Sequence, residues 1–182
     1  MSSILKVDQL QDSGGNAIIT SDGSGNLTTQ KLLYPAFMAT MGTSNQNVTD
    51  ATATKVQLTN EVIDTDNAFD NSTNYRFTVP SGGAGKYLIN GAVTLRSAAS
   101  TVSLVYAWLY KNGSAVNLSM ANFTNSLVQI STQNFSVLID LVAGDYLELF
   151  GYVNGSGTTA FDPGVSSDAT KSTYLAGLRI GD

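Results

Sequence analysis

Apolar side chains recur at every second position along most of this chain, and short runs of glycine, asparagine and serine interrupt them. The stretch 75–93 reads YRFTVPSGGAGKYLINGAV, in which the odd positions from Tyr75 to Val79 are apolar and the even ones polar. That spacing is typical of a β-strand with one buried face. Residues 80–85 break the run with proline and glycine, and the alternation resumes at Tyr87. We interpret the stretch as two strands joined by a turn, the central hairpin of an all-β domain.

Strand-like runs with turn residues between them fill the chain from residue 35 onward. They lie at 36–39, 55–59, 102–111, 116–118, 127–130, 135–141, 146–153 and 174–180. Asn112-Gly113 is the strongest short signal for a two-residue hairpin turn. Short strands separated by turns every dozen or so residues are typical of a β-sandwich. The pattern therefore predicts eight to ten strands and no helix.

Composition excludes several classes of function. The chain of 182 residues has no cysteine and no histidine, so disulfides, thiolate chemistry and the usual general base near neutral pH are absent. Only 13% of the residues are charged, and the net charge is −5. Nucleic-acid-binding proteins display basic patches, which this chain lacks. No apolar run reaches membrane-spanning length, and residues 1–12 lack the features of a secretory signal. We expect neither a nucleic acid nor a membrane as partner.

Residues 1–34 differ from the rest. Their apolar pieces are too short to build a core, and glycine-rich turns at 12–16 and 21–26 separate them. A floppy terminus has little reason to carry so many isoleucine and leucine residues. We predict an N-terminal attachment arm at 1–34 and a folded domain at 35–182. The residues that we expect to dock the arm on another surface are Ile4, Leu5, Val7, Leu10, Ile18 and Ile19.

Two of the predicted strands are apolar on both faces. In 104–110 one face carries Leu104, Tyr106, Trp108 and Tyr110, and in 146–153 the matching face carries Tyr146, Phe150 and Tyr152. A sandwich sheet has one inward face, so the second apolar face needs another cover. An aromatic-rich outer face is typical of a subunit interface, which favours oligomerisation. The alternative is that loops of the same chain cover it.

No pattern of catalytic or cofactor-binding residues emerges. Asp64, Asp66 and Asp70 match only a fragment of a calcium loop, and a solvated polar loop explains them equally well. The glycines at 82–85 precede Lys86, but the Ser or Thr that a phosphate loop requires next is absent.

The only glutamates are Glu61 and Glu148, and a carboxylate pair of Asp145 with Glu148 is a weak basis for hydrolysis. We expect no catalytic residue, no cofactor and no metal ion.

Several pieces of the chain, taken in order, resemble the complement-q-type globular head, a member of the tumour-necrosis-factor-like jelly-roll superfamily. The matching pieces are FMA at 37–39, FD at 69–70, YRFTVP at 75–80, GKYLI at 85–89, LYKNG at 109–113, LVAGDYLEL at 141–149 and STYLAGL at 172–178. The resemblance covers residues 35–182 and implies a ten-stranded jelly roll that packs as a homotrimer. It also implies that Tyr87, Tyr174 and the second faces of 104–110 and 146–152 lie towards the threefold axis.

The N-terminal segment resembles the openings of structural proteins of tailed bacteriophages, on the residues ILKVDQLQDSGGNAIITSDGSGNLT at 4–28. This resemblance implies a virion protein, with the major capsid protein or another virion protein as partner. We expect a capsid decoration or cement protein, located on the capsid surface.

The alternatives are a fibre module that recognises host glycans through the loops at 42–50, 64–73 and 154–170, with Phe161 and Tyr152 stacking on sugars, and a bacterial surface adhesion module.

Overall fold

The computed structural model describes residues 7–29, 35–164 and 172–181. The chain divides into two compact units, Met1–Tyr34 and Pro35–Asp182. The described residues form strands, turns and loops, and none of them belongs to a helix that could cross a membrane.

The N-terminal unit contains a small antiparallel sheet of three strands in the order β1-β2-β3. These strands are β1 (Gln9–Gln11), β2 (Ala17–Ser21) and β3 (Leu27–Thr29). Asp12 closes the first turn by accepting hydrogen bonds from the Gly14 and Asn16 amides at 2.8 and 2.9 Å. Asp22 does the same for Ser24 and Asn26 in the second turn. The predicted glycine-rich turns thus join strands that are only three to five residues long.

The second unit is a β-sandwich. Its strands are β4 (Ala36–Thr40), β5 (Gln46–Val48), β6 (Thr54–Lys55), β7 (Asn60–Asp64), β8 (Phe69–Asp70), β9 (Arg76–Thr78), β10 (Gly85–Ser97), β11 (Leu104–Lys111), β12 (Ser114–Asn122), β13 (Ile130–Leu141), β14 (Tyr146–Asn154), β15 (Thr159–Asp162) and β16 (Tyr174–Gly181). One sheet has the order β5-β15-β10-β16-β4-β7, with β13 paired to β10. The other has the order β12-β11-β14-β9-β8, with β6 paired to β14. All the pairs are antiparallel.

The core lies between the two sheets. Phe37 of β4 and Phe77 of β9 stack across it, with ring centroids 4.1 Å apart. Each such side chain contributes roughly 1.5–3 kcal/mol through the apolar surface that it removes from water. The largest fully buried side chains are Tyr87, Phe37, Phe77, Phe161, Met41, Leu58, Ile89, Leu95, Leu109, Leu141, Leu147 and Leu149.

The interpretation of 75–93 as a hairpin is wrong. Strand β9 pairs with β8 and β14, whereas β10 pairs with β13, β15 and β16, so the two runs belong to different sheets. The break at 80–85 therefore carries the chain across the sandwich. Alternation reveals which residues face the core, but both sheets share that core, and the pattern does not say which strand lies beside which.

Of the other local predictions, some are confirmed and some differ from the structure in their strand boundaries. The Asn112-Gly113 hairpin turn is confirmed: both residues have positive φ, at 51° and 78°, and they join β11 to β12. Val56 and Leu58 are buried, as the alternation of the run 55–59 predicts, although β6 ends at Lys55 and the chain enters β7 at Asn60. The runs at 127–130 and 135–141 fall mostly in one strand, β13.

The sequence analysis missed β15, because a four-residue strand gives too short an alternation. Very short strands such as β5, β6 and β8 also raise the number above the predicted ten.

Two glycines inside strands lie under phenylalanine rings of the neighbouring strand. Gly91 pairs with Phe135, and Gly177 pairs with Phe37. A Cβ atom on Gly177 would lie 2.5 Å from Ile89 Cδ1 and 2.6 Å from Phe37 Cε1. Glycine is therefore required here by packing, because the ring occupies the space of a side chain.

We expect Gly177→Val to lower the free energy of unfolding by roughly 1–3 kcal/mol, the usual cost of overpacking a core. Urea denaturation measures it. Gly181→Ala is the matched control, because a Cβ there meets nothing within 4 Å. Equal midpoints for the two variants would contradict this account of the packing.

Candidate functional site

An aromatic cluster covers much of the outer face of the six-stranded sheet. The register places Tyr106 opposite Tyr152 and Trp108 opposite Phe150 on β11 and β14. The rings of Tyr106 and Trp108 stack at 4.8 Å, and those of Tyr110 and Phe150 at 4.1 Å. All five side chains are half-buried within the single chain. The rings therefore cover much of one another's apolar surface. We call these five residues the aromatic cluster.

An exposed apolar stripe on β12 extends this cluster to the edge of the sheet. Leu118 pairs with Trp108, and Met120 pairs with Tyr106. Leu118, Met120 and Val116 are all exposed, Met120 by 53%. From the sequence, 116–118 was interpreted only as a strand. The alternation of Val116, Leu118 and Met120 is the signal that could have revealed the stripe.

The outer face of the seven-stranded sheet carries a second apolar surface, which the sequence analysis did not identify. Leu88 of β10 is paired with Leu138 on one side and Leu178 on the other. Leu138 is 65% exposed and Leu178 is 44% exposed. Tyr174 is half-buried and lies two alternations before Leu178 on β16, on the same side of the sheet. We call this group of four residues the leucine face.

Tyr87 does not belong to an outer face. The resemblance placed it towards a threefold axis, but its side chain is fully buried in the core of the sandwich. Its hydroxyl donates a hydrogen bond to the Gly83 carbonyl oxygen at 2.6 Å. Burial raises the pKa of Tyr87 to about 12. The residue starts the inward row of β10, which continues with the buried Ile89 and Leu95, so the alternation agrees with its burial and the resemblance does not.

The N-terminal unit exposes several of the residues predicted to dock it. Val7, Leu10 and Ile18 are exposed, and Ile19 is half-buried. Leu10 pairs with Ile19, so these two share one face of the small sheet, and Ile18 points to the other face. Ile4 and Leu5 lie outside the described residues.

The two carboxylates considered for hydrolysis are both buried and paired. Glu148 forms an ion pair with Lys55, and Asp145 forms one with Lys111 at 2.8 Å. Burial works to raise the pKa of Asp145, but hydrogen bonds from Lys111, the Val142 amide and Asn112 outweigh it and hold the pKa at about 2. Asp145 stays ionised at neutral pH and is enclosed, so it has no proton to donate to a substrate. Both carboxylates join strands of the sandwich, Glu148 through Lys55 of β6 and Asp145 through Lys111 of β11.

In the acidic loop at 64–70, the carboxylates of Asp64 and Asp70 accept hydrogen bonds from nearby backbone amides. Asp64 accepts hydrogen bonds from the Asp66 and Phe69 amides at 3.2 and 2.7 Å. Asp70 accepts them from the Ser72, Thr73 and Asn74 amides, and these bonds lower its pKa strongly. Among the described residues no three acidic side chains gather where they could hold a metal ion.

A polar cleft of about 370 Å³ lies between the loop after β4 and the segment that joins β6 to β7. Gln46 bridges its walls: its amide donates to the Lys55 carbonyl oxygen at 2.8 Å, and its carbonyl accepts from the Gln57 amide at 2.9 Å. Other lining residues are Thr43, Ser44, Asn45 and Thr59. This cleft lies in one of the loops, 42–50, that the sequence analysis named as a candidate binding loop.

Comparison with known proteins identifies the fold. The globular domain of the zebrafish complement 1qA protein aligns at 14% identity with a TM-score of 0.53, over 80% of this chain and 97% of that domain. Murine APRIL aligns at 10% identity with a TM-score of 0.56, over 80% of this chain and 98% of its own. The Eiger TNF of S. frugiperda gives 10% and 0.56, over 81% and 92%. No protein-family model matches the sequence, and no curated protein does.

The fold is therefore an all-β jelly-roll sandwich of the complement-q and tumour-necrosis-factor type, as the sequence analysis predicted. At such low identity the likeness shows the fold alone, and a fold of this kind hosts many functions. Function has to be argued from the surfaces described above.

We expect the free energy of unfolding to fall as the pH drops from about 4 to about 2. The pKa of Asp145 is lower in the folded chain, at about 2, than the usual value of about 3.9, so its stabilisation is present above pH 4 and is lost as the pH falls through 2. Urea unfolding across this range measures it. Asp145→Asn should lose roughly 1–3 kcal/mol at pH 7 and show a shallower acid slope.

Asp140→Asn is the control for this experiment, because Asp140 is exposed and lies 4.0 Å from Lys86. An acid slope that is the same in both variants would contradict the role given to Asp145.

Proposed function

We propose that this chain is a bacteriophage virion structural protein, a homotrimeric jelly-roll knob that decorates and stabilises the capsid through its N-terminal arm. The observation that supports this proposal most is the division of the chain into a sandwich and a separate N-terminal unit with exposed apolar side chains. The resemblance of residues 4–28 to tailed-phage structural proteins supplies the virion context. The capsid partner would be the major capsid protein or another virion protein.

The chemistry of the described residues supports a binding role over an enzymatic one. The buried carboxylates Asp145 and Glu148 are held by lysines, and the chain has no histidine or cysteine. The surfaces described above are two apolar faces and an uncharged polar cleft. Such surfaces bind other molecules and carry no group poised to transfer a proton or to attack a substrate.

A closed trimer needs two different contact patches on each copy, set at about 120° to one another, a third of a full turn. Two such patches are present, since Leu118 and Met120 pair with Trp108 and Tyr106 at the rim of the six-stranded sheet, whereas the leucine face lies on the other sheet. We therefore propose that the leucine face, with Tyr174, meets the β12 edge of the next copy, with Leu118, Met120 and the adjoining Trp108.

The predicted assembly is tested by native mass. The wild-type chain should have about three times the 19.1 kDa of one copy. Leu178→Asp and Leu118→Asp should each yield monomers, because each places a charge in one half of the contact, where burial is costly. Val62→Asp is the control: it is 53% exposed on β7, at the other end of the sheet from β13. A wild-type mass near 19 kDa would refute the trimer.

The arm suits attachment for a physical reason. A three-stranded sheet with strands this short is marginal by itself, and covering Leu10 and Ile19 would remove apolar surface from water. A capsid shell presents local threefold axes, so a trimer offers three equal arms there. Three weak contacts made together bind far more tightly than one.

Deletion of residues 1–34 should abolish binding to purified capsids and leave the mass of the sandwich assembly unchanged. Leu10→Asp should weaken capsid binding, whereas Gln11→Asp, one residue along the same strand, should not. Co-sedimentation measures both. Retained binding after the deletion would refute the arm as the anchor, and antibody-gold labelling confined to tail or fibre tips would refute the location on the capsid.

A receptor-binding module at a fibre tip is the second candidate, favoured by the polar cleft in the loop before β5. Phe161, one of the aromatic residues suggested to stack on sugars, is fully buried and is not available. Tyr152 packs edge-on against Tyr106 at 5.0 Å. Part of the loop at 154–170 lies outside the described residues. The cleft is therefore the feature on which this candidate depends.

A further inference from the structure

We propose that the polar cleft beside β5 binds a neutral saccharide. The proposal rests on the second candidate function and specifies its ligand. It concerns the residues Thr43, Ser44, Asn45, Gln57 and Thr59, which line the cleft together with the buried Met41. The volume of about 370 Å³ lies at the low end of the ~300–1,000 Å³ of small-ligand sites, so it suits a terminal sugar or a short oligosaccharide.

The charge of the cleft selects the chemical class. None of the residues that line it is acidic or basic. A phosphate, carboxylate or ammonium ligand would lose its hydration there without meeting an opposite charge, which is unfavourable. A neutral polyol has many hydroxyl groups that both donate and accept hydrogen bonds, and hydroxyl and amide side chains can match them.

Four hydrogen-bonding side chains of the cleft are available. The side chains of Thr43, Ser44, Asn45 and Thr59 make no hydrogen bond within the described part of the chain. The loop after Asp70 is the contrast, because there the Ser72 hydroxyl and the Asn74 amide are both bonded to the Asp70 carboxylate. Loop polarity alone therefore does not explain the free groups of the cleft.

The walls of the cleft are held in place before any ligand arrives. Gln46 ties β5 to the chain at Lys55 and Gln57, as described above. At the other end the Asn60 side-chain amide donates to the Thr40 hydroxyl at 3.0 Å. A site whose backbone is fixed at both ends loses little conformational freedom when it binds, which favours association.

Gly42 keeps the Thr59 hydroxyl open to the cleft. A Cβ atom at Gly42 would lie 2.9 Å from Thr59 Oγ1. A larger residue would therefore crowd that oxygen and cover it. The absence of a side chain at 42 leaves this hydroxyl reachable from the cleft.

The test is a titration of the full chain, labelled with nitrogen-15, followed by NMR. The probes are galactose, glucose and N-acetylglucosamine, with glucuronate and glucosamine as charged comparators. We expect at least one neutral sugar to shift the amide resonances of 42–46 and 57–59 saturably and the charged sugars to do so at least about tenfold more weakly. Shifts that never saturate, or equal binding of glucuronate, would overturn the proposal.

The double variant Asn45→Ala, Thr59→Ala should weaken binding at least about tenfold, because it removes two hydrogen-bonding side chains of the cleft. Asn125→Ala, Ser126→Ala is the control, an exposed amide and hydroxyl in the loop between β12 and β13. Unchanged binding by the first variant would also overturn the proposal. Virion labelling tests separately where on the particle the protein lies. Label spread over the head would refute the receptor-binding role, whereas the NMR titration alone decides whether the cleft binds a sugar.

Discussion

The long strand β10 is the element on which the sandwich depends. It is paired with β13 along almost its whole length on one side, and with β16 and β15 in succession on the other. Its inward residues, among them Tyr87, Ile89 and Leu95, are fully buried. A strand that is hydrogen-bonded on both sides has a fixed register, and a slip by one residue would move every buried side chain to the wrong face. The chain has no disulfide, so this register and the core it fills hold the fold.

The sequence allowed the fold class and many inward residues to be predicted, because both follow from local alternation. Val56 and Leu58 are buried, and Asn112-Gly113 forms its hairpin turn, since each of these depends on neighbours in sequence. Strand pairing was harder. It depends on residues far apart in the chain, so the run before Pro80 was assigned to a hairpin with β10 when it belongs to the opposite sheet.

Among the candidate sites, too, those formed within single strands were predicted and those formed by residues far apart in the chain were not. The aromatic cluster was predicted because its residues alternate within β11 and β14, whereas the leucine face was missed because it combines single residues from three strands, Leu88, Leu138 and Leu178. The polar cleft joins two segments across the bridge made by Gln46, which no local pattern reveals. Tyr87 shows the converse error: the family resemblance placed it at a subunit interface, whereas its side chain is buried in the core with Ile89.

The two turns of the N-terminal unit lie ten residues apart and have the same hydrogen bonds, in which the carboxylates of Asp12 and Asp22 accept from the backbone amides two and four residues later. Each turn reverses the chain and starts a new strand, so the segment is modular. Duplication of a ten-residue block would lengthen the sheet by one strand without disturbing its hydrogen bonding. The number of added blocks would decide where the chain leaves the sheet. One added block would move the exit to the opposite end of the sheet, whereas two would keep it at the same end. A change in the number of blocks would thus alter the small sheet by whole strands while the sandwich remains unchanged.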